Sequence, residues 1–233
     1  MRAGTRPLQR LLVLRPDRQF AEIVQQARAK RIPVRVEPLA AFDRLVPAGK
    51  HQGVIAFVAA KAYSSTEDIL DRARRRGEPP FLIILDGIED PHNLGAVIRT
   101  AEAAGVHGVF IPERRSAGLS SIVAKVSAGA LEHMLVARVS NLSRLIEELK
   151  AVGVWIYGVE PSAAKSYIAL DMTGPVAIVV GGEGEGIRPG VLKECDDLVS
   201  ISMKGKVESL NVSAAAAIAL FEVVRQRGLK SGS

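Results

Sequence analysis

The sequence predicts an α/β fold with a mainly parallel sheet, preceded by a small α/β unit. From residue 81 onward, short and nearly continuous apolar runs alternate with helical patterns, which is typical of a parallel sheet covered on both faces. The chain has 233 residues, of which 48% are hydrophobic and 24% charged. This ordinary globular composition suffices for one medium domain and one small domain.

Residues 1–60 are expected to form the small unit. Its elements are predicted as strands at Leu11–Leu14, Pro33–Val36 and Gly53–Val58 and helices at Arg18–Lys30 and Leu39–Leu45. The first 44 residues carry ten basic side chains, counted with Lys30, and few aromatic ones. Such a surface favours contacts with phosphates over base stacking.

Residues 61–80 read as a linker that contains one helix. Ser65 followed by Asp68 resembles a capping box, so the helix should start at Thr66, and Gly77 should end it. Four arginines lie near its end, at Arg72, Arg74, Arg75 and Arg76. They fit either an RNA contact or a solvated helix face.

Residues 81–228 are expected to form the larger domain, and residues 229–233 a tail. The predicted strands are Phe81–Leu85, Gly108–Ile111, Met134–Ala137, Val154–Val159, Val176–Val180 and Leu198–Met203. The predicted helices are Leu94–Ala104, Ser120–Ala130, Ser143–Val152, Pro189–Cys195 and Val212–Arg227.

Charge and composition narrow the classes of function. A net charge of +6 favours a polyanionic partner such as nucleic acid. No apolar run approaches the length of a membrane span, and the first apolar run is too short for a signal peptide. The single cysteine, Cys195, suits a reducing cytoplasm, and the four histidines lack the spacing of a metal site.

The first stretch that carries chemistry is residues 85–105. Asn93 is expected to stand at the start of a helix, where its side chain fits either an N-cap or a functional site. Arg99 lies in the second turn of this otherwise small and apolar helix. Its guanidinium could form an ion pair with Glu102 or bind a phosphate through two hydrogen bonds.

The second stretch is the glycine-rich loop of residues 181–186, which follows a buried strand. It lacks the spacing of a P-loop and of a dinucleotide fingerprint. Glu183 and Glu185 would repel a phosphate and suit a cationic ligand such as a sulfonium-bearing cofactor. A plain charged turn is the alternative.

The third stretch is residues 204–213, where polar side chains crowd the start of a long helix. Ser209, Asn211 and Ser213 are all candidate caps, yet a helix needs only one N-cap. The following helix is apolar nearly all round, so it should lie in the core or at a subunit interface.

Together these stretches closely resemble the three motifs of the SpoU, or TrmH-like, RNA ribose 2′-O-methyltransferases. The matching residues are Asn93 and Arg99, then Glu183, then Ser209 and Asn211. Residues 51–56 resemble the end of the small RNA-binding domain of the RlmB-type subgroup. That domain usually opens with a strand and a helix before the equivalent of Leu11, and little of this segment is present here.

The resemblance implies a SPOUT-type sheet with a C-terminal deep trefoil knot, an obligate homodimer and S-adenosylmethionine as cofactor. It further implies methyl transfer to the ribose 2′-hydroxyl of a nucleotide, a guanosine, in large-subunit rRNA. The alternatives are a tRNA target, an rRNA target of the antibiotic-resistance type, and an inactive rRNA-binding assembly factor.

The same resemblance assigns the site residues. The cofactor is expected on backbone around Gly181, Gly182, Ile201, Met203, Leu210 and Ser213. Arg99 is expected to bind the phosphate next to the target ribose and to favour the developing alkoxide. Asn93, Glu183, Ser209 and Asn211 should orient the reactants, and Glu183 is also a candidate base. No metal is expected.

Overall fold

The computed structural model describes residues 6–15, 18–46 and 51–231. The chain divides into two compact units, Met1–Lys61 and Ala62–Ser233. No helix in the described part of the chain is long and apolar enough to cross a membrane.

The small unit is a three-stranded sheet with two helices in its described residues. Its elements are β1 (Leu8–Val13), α1 (Arg18–Ala29), β2 (Val34–Val36), α2 (Leu39–Leu45) and β3 (Val54–Val58). The strand order is β2-β1-β3, in which β1 pairs parallel with β2 and antiparallel with β3. β1 starts three residues before the prediction because Leu8 and Arg10 pair with β3, although this end of the strand lacks a continuous apolar run.

The larger unit is built on a parallel sheet, as predicted. In its described residues seven strands follow the order β6-β5-β4-β9-β7-β10-β8, and every pair is parallel. The strands are β4 (Phe81–Asp86), β5 (Gly108–Pro112), β6 (Val136–Val139), β7 (Trp155–Val159), β8 (Lys165–Ser166), β9 (Val176–Gly181) and β10 (Asp197–Ser200). All six residues of β4 are buried, as expected for a strand with helices on both faces.

Helices cover both faces of this sheet. They are α3 (Thr66–Arg76), α4 (Pro91–Ala103), α5 (Ser121–Val126), α6 (Ala130–His133), α7 (Leu142–Ala151), α8 (Pro189–Leu192) and α9 (Val212–Ser231), with a 3₁₀ turn at Tyr167–Ala169. The capping box at the start of α3 is confirmed: Ser65 Oγ accepts from the Asp68 N–H, and the Asp68 carboxylate accepts from the Ser65 N–H. This helix lies in the segment expected as a linker, and its apolar face is buried in the larger unit.

The structure corrects several predicted boundaries. The single helix predicted at Ser120–Ala130 is wrong: α5 ends at Val126, and the chain turns through Ala128 at φ 50° and Gly129 at φ 94° before α6. Left-handed backbone in consecutive residues cannot continue a right-handed helix. The predicted strand at Leu198–Met203 ends at Ser200, which leaves residues 201–203 as irregular backbone.

The central strands bring two of the three motif stretches to one edge. β4 and β9 are neighbours, and Asp86, the last residue of β4, pairs with Gly181, the last residue of β9. The segments that follow these strands therefore leave the sheet side by side. Loops at the carboxyl ends of parallel strands are the usual ligand-binding edge of open α/β sheets.

Candidate active site

An ion pair between a buried carboxylate and a half-buried arginine fixes both ends of the glycine-rich loop. The carboxylate of Asp86 is fully buried and accepts from the Arg188 N–H at 2.9 Å and from Arg188 Nε at 2.8 Å. The Gly182 N–H donates to the Asp86 carbonyl oxygen at 2.7 Å. These bonds join the end of β4 to the start and the end of the loop. Neither Asp86 nor Arg188 was predicted as a site residue, because their partnership spans 102 positions of sequence.

Asn93 does not cap its helix. The N-cap of α4 is Asp90, whose side chain accepts from the His92 N–H, and Pro91 occupies the first helical position. Pro suits that position because its missing N–H would have no helical partner. The cap prediction for Asn93 is therefore wrong. Its buried carboxamide instead faces the other two motifs.

Asn93, Glu183 and Asn211 form one hydrogen-bonded cluster. Glu183 Oε1 accepts from Asn93 Nδ2 and from Asn211 Nδ2, both at 2.8 Å. Asn211 Nδ2 also lies 3.1 Å from Asn93 Oδ1. Each residue comes from a different motif. Glu183 is 90 residues from Asn93 and 28 residues from Asn211 in the sequence, and the fold brings all three into one polar cluster.

Asn211 performs two tasks with the two ends of its carboxamide. Its Oδ1 accepts from the Ser213 N–H at 2.9 Å and from Ser213 Oγ at 2.6 Å, which caps the start of α9. Because the oxygen is used in the cap, the amide nitrogen must point toward Glu183. The start of α9 thereby sets the orientation of the Glu183 carboxylate.

A cavity of about 350 Å³ lies beside this cluster. Of the predicted cofactor residues, five line it: Gly181, Gly182, Ile201, Met203 and Leu210. Two predicted catalytic residues, Glu183 and Ser209, line it as well. Ser213 does not lie among the lining residues, since its polar atoms bind Asn211. Two residues of the irregular segment 201–203, Ile201 and Met203, thus border the cavity directly after β10 ends.

The chemistry of the lining fits a cationic ligand. Glu160, Glu183, Glu185 and Glu208 all border this cavity, and lysine and arginine are absent from its described lining. Carboxylates would repel a phosphate and attract a sulfonium or ammonium group. Glu160 and Glu208 were not predicted as site residues. Glu208 adjoins the third motif in the sequence, whereas Glu160 follows β7 with no local signal.

A second cavity, of about 490 Å³, shares a wall with the first. Gly182, Glu183, Glu185 and Gly186 border both cavities, so the glycine-rich loop separates them. The remaining lining includes residues 86–90, Asn93, Arg115 and Arg188. The Asn93–Glu183–Asn211 cluster therefore lies where the two cavities meet.

Arg99 lies apart from this cluster. It is six residues beyond Asn93 on α4, which corresponds to about 9 Å along the helix axis and about 120° around it. Its side chain is exposed, makes no hydrogen bond or ion pair within the described residues, and borders neither cavity. The alternative pair with Glu102 is thus not formed, and the guanidinium is available to an external anion.

Other reactive groups lie outside the site. The Cys195 thiol packs beside Gly158, and burial raises its pKa to about 12, so a thiolate nucleophile is disfavoured. Within the described residues no three His, Cys, Asp or Glu side chains are grouped in a way that could hold a metal ion.

The chain is similar to known RNA methyltransferases. Residues 80–221 match the SpoU rRNA Methylase family, and residues 1–64 match the RNA 2′-O ribose methyltransferase substrate binding family. A Bacillus subtilis relative named as a TrmH family tRNA/rRNA methyltransferase is 44% identical over 90% of this chain and 84% of its own. The 23S rRNA (guanosine-2′-O-)-methyltransferase RlmB of Yersinia pestis is 44% identical over 93% of this chain and 88% of its own.

Among solved structures, the SpoU methyltransferase AviRb from Streptomyces viridochromogenes, in complex with AdoMet, superposes with a TM-score of 0.80. It is 26% identical, and the match covers 97% of this chain and 85% of that one. The match to the methylase family spans the sheet, the glycine-rich loop and the start of α9. This chain belongs to the SpoU rRNA methylase family.

Proposed function

We propose that this protein transfers a methyl group from S-adenosylmethionine to the ribose 2′-hydroxyl of a guanosine in large-subunit rRNA. The observation that carries the proposal is the Asn93–Glu183–Asn211 cluster at the junction of two cavities, one of them lined by carboxylates. The bound cofactor supplies an electrophilic methyl group on a positively charged sulfur. The two cavities suit a reaction in which donor and acceptor must meet in line.

Each motif residue has a separate role in this proposal. Glu183 is held by two amide donors at one oxygen, which leaves its other oxygen to orient the ribose or take its proton, directly or through water. Ser209 borders the cofactor cavity and has no hydrogen bond within the described chain, so its hydroxyl is available to a reactant. Arg99 binds an RNA phosphate and favours the alkoxide, because a guanidinium stays protonated and cannot serve as the base.

Large-subunit rRNA is the proposed substrate because relatives that carry the name RlmB are 23S rRNA guanosine 2′-O-methyltransferases. The match of residues 1–64 to a substrate-binding family and the net charge of +6 support an RNA partner. A cytoplasmic location and independence from metal ions are part of the same proposal. A tRNA substrate is the second candidate, favoured by the tRNA/rRNA name of the Bacillus subtilis relative.

The substrate class can be tested with labelled S-adenosylmethionine and three separate unmodified RNA pools: large-subunit rRNA, small-subunit rRNA and tRNA. We expect label in the large-subunit pool at least tenfold above the other two, a ratio set by a binding difference of about 1.4 kcal/mol. Label mainly in tRNA would show that tRNA is the substrate and would leave the proposed reaction unchanged. Absence of label in all three pools, with the cofactor bound, would contradict the proposed reaction.

A homodimer through the larger unit is also proposed. Ala217, Phe221 and Val224 follow an i, i+4, i+7 pattern on α9, and Phe221 is 48% exposed. A large apolar side chain so exposed on a helix that is otherwise packed against α4 and β9 suits an interface with a second copy.

The trefoil knot of the family is also proposed for this chain. Strands β9 and β10 insert between strands that come earlier in the sequence, and α9 then returns to pack on β9.

Phe221→Asn should weaken this dimer on the order of a thousandfold. A two-fold interface contains the residue twice, and each loss of a buried Phe costs about 2 kcal/mol. Sedimentation velocity over a range of protein concentrations would measure the shift. Val152→Asn, which replaces another exposed apolar side chain, is the matched control and should leave the dimer intact. Equal behaviour of the two variants would contradict the interface.

A further inference from the structure

Arg115 borders the second cavity in a strained and weakly paired arrangement. Its backbone lies at φ 56°, a left-handed conformation that costs a non-glycine residue about 1 kcal/mol or more. Its guanidinium contacts the carboxylate of Glu185 at 3.3 Å, and both side chains are mostly exposed. Surface ion pairs of this kind contribute little to stability. The contact is therefore easily exchanged for a stronger one.

Of the other charged groups that border this cavity, all but the exposed Glu89 are engaged within the described chain. Asp86 and Arg188 bind each other at the base of the loop, and Asp90 caps α4. Glu183 binds Asn93 and Asn211. Of the two arginines that border the described cavity, Arg115 is thus the one whose partner is a solvent-exposed carboxylate and not a buried one.

We propose that the second cavity receives the ribose of the acceptor nucleotide and that Arg115, whose side chain is 60% exposed at the rim of this cavity, binds a phosphate of that RNA strand outside it, releasing Glu185. This inference rests on the proposed function and adds a binding residue outside the three motifs. The glycine-rich loop separates this cavity from the cofactor cavity, so a nucleotide here lies next to the Asn93–Glu183–Asn211 cluster. A guanidinium binds phosphate through two parallel N–H bonds, which a single 3.3 Å contact to Glu185 does not match.

Glu185 acts in this proposal as the competitor for the phosphate. Its position on the loop that borders both cavities keeps Arg115 directed at the second cavity before RNA arrives. Removing the charge of Glu185 and removing that of Arg115 must then have opposite effects on RNA binding. A purely structural ion pair predicts effects of the same sign, since either change would break the same contact.

The test measures the KM for an in vitro transcript of large-subunit rRNA at saturating S-adenosylmethionine and several salt concentrations. We expect R115A to raise this KM about tenfold with kcat little changed, the usual size of a charge-assisted contact. The slope of log KM against log salt concentration should fall by about one in R115A, as expected for the loss of one phosphate contact. E185Q should lower the KM several-fold. Cofactor affinity, measured by calorimetry, verifies that the glycine-rich loop remains intact in R115A. For E185Q it sets the cofactor concentration needed for saturation, because Glu185 also borders the cofactor cavity.

R114A is the matched control, since Arg114 is the exposed neighbour that borders neither cavity in the described chain. We expect its KM and salt slope to stay near those of the wild type. Equal effects of R114A and R115A, or a raised KM in both R115A and E185Q, would overturn the role of Arg115. Absence of transfer by the wild type would count against the proposed function itself, which is a separate outcome.

Discussion

Arg99→Ala should lower kcat/KM for methyl transfer by about tenfold to a hundredfold, because it removes a charge-assisted contact with an RNA phosphate, which contributes about 1.5–3 kcal/mol. The affinity for S-adenosylmethionine should not change, because Arg99 borders neither cavity. The thermal midpoint should also stay within a degree or two, since the exposed side chain has no partner within the described residues. Single-turnover transfer, calorimetric binding and thermal unfolding measure the three quantities.

Arg144→Ala provides the control for loss of an exposed arginine. Arg144 lies on α7, and its guanidinium pairs only with Glu148 among the described residues. Its removal deletes the same charge at a position that borders neither cavity. Its kcat/KM should remain within a factor of about two of the wild type, as for a surface change of at most about 0.5 kcal/mol. If Arg99→Ala and Arg144→Ala transfer methyl groups at the same rate, the proposed role of Arg99 in the reaction is wrong.

Gly182→Ala should abolish measurable cofactor binding and lower the stability of the larger unit. A Cβ atom at this position would lie 2.0 Å from the carbonyl oxygen of Gly87, a distance at which backbone must move. The Gly182 N–H also binds the Asp86 carbonyl, so a shift here disturbs the junction of β4, β9 and the loop. We expect the Kd for S-adenosylmethionine to rise at least a hundredfold and the free energy of unfolding to fall by about 1–3 kcal/mol.

Gly174→Ala is the matched control for this substitution. An added Cβ at Gly174 meets no atom within 4 Å, and its backbone needs no positive φ. Calorimetry with S-adenosylmethionine and chemical denaturation should return wild-type values for it. Tight cofactor binding by Gly182→Ala would mean that the close packing of the loop against Gly87 is not needed for the site.

Local patterns in the sequence predict those parts of the fold that depend on local forces. The buried strand β4 is recognisable from its continuous apolar run, and α3 from the capping box of Ser65 and Asp68. The start of α4 was misplaced even though its signal is local. Asp90 followed by Pro91 is a stronger start signal than Asn93, because it supplies the cap and the favoured first residue together.

Non-local contacts account for what the sequence could not predict. The cluster of Asn93 and Asn211 joins side chains 118 residues apart, and Asp86 reaches Arg188 across 102 residues. The motif resemblance identified the first partnership but not the second. The two-residue strand β8 is too short to carry a pattern, and it forms only because the edge of β10 is available for pairing.

The position of the methyl group in the RNA tests the central proposal most directly. A 2′-O-methyl group removes the hydroxyl that alkali needs to cleave the adjacent phosphodiester. Large-subunit rRNA labelled by this protein from S-adenosylmethionine should therefore release its label in alkali-resistant dinucleotides, with 2′-O-methylguanosine as the labelled nucleoside. Label recovered in alkali-released mononucleotides would place the methyl group on a base and contradict the assignment of the ribose hydroxyl as acceptor.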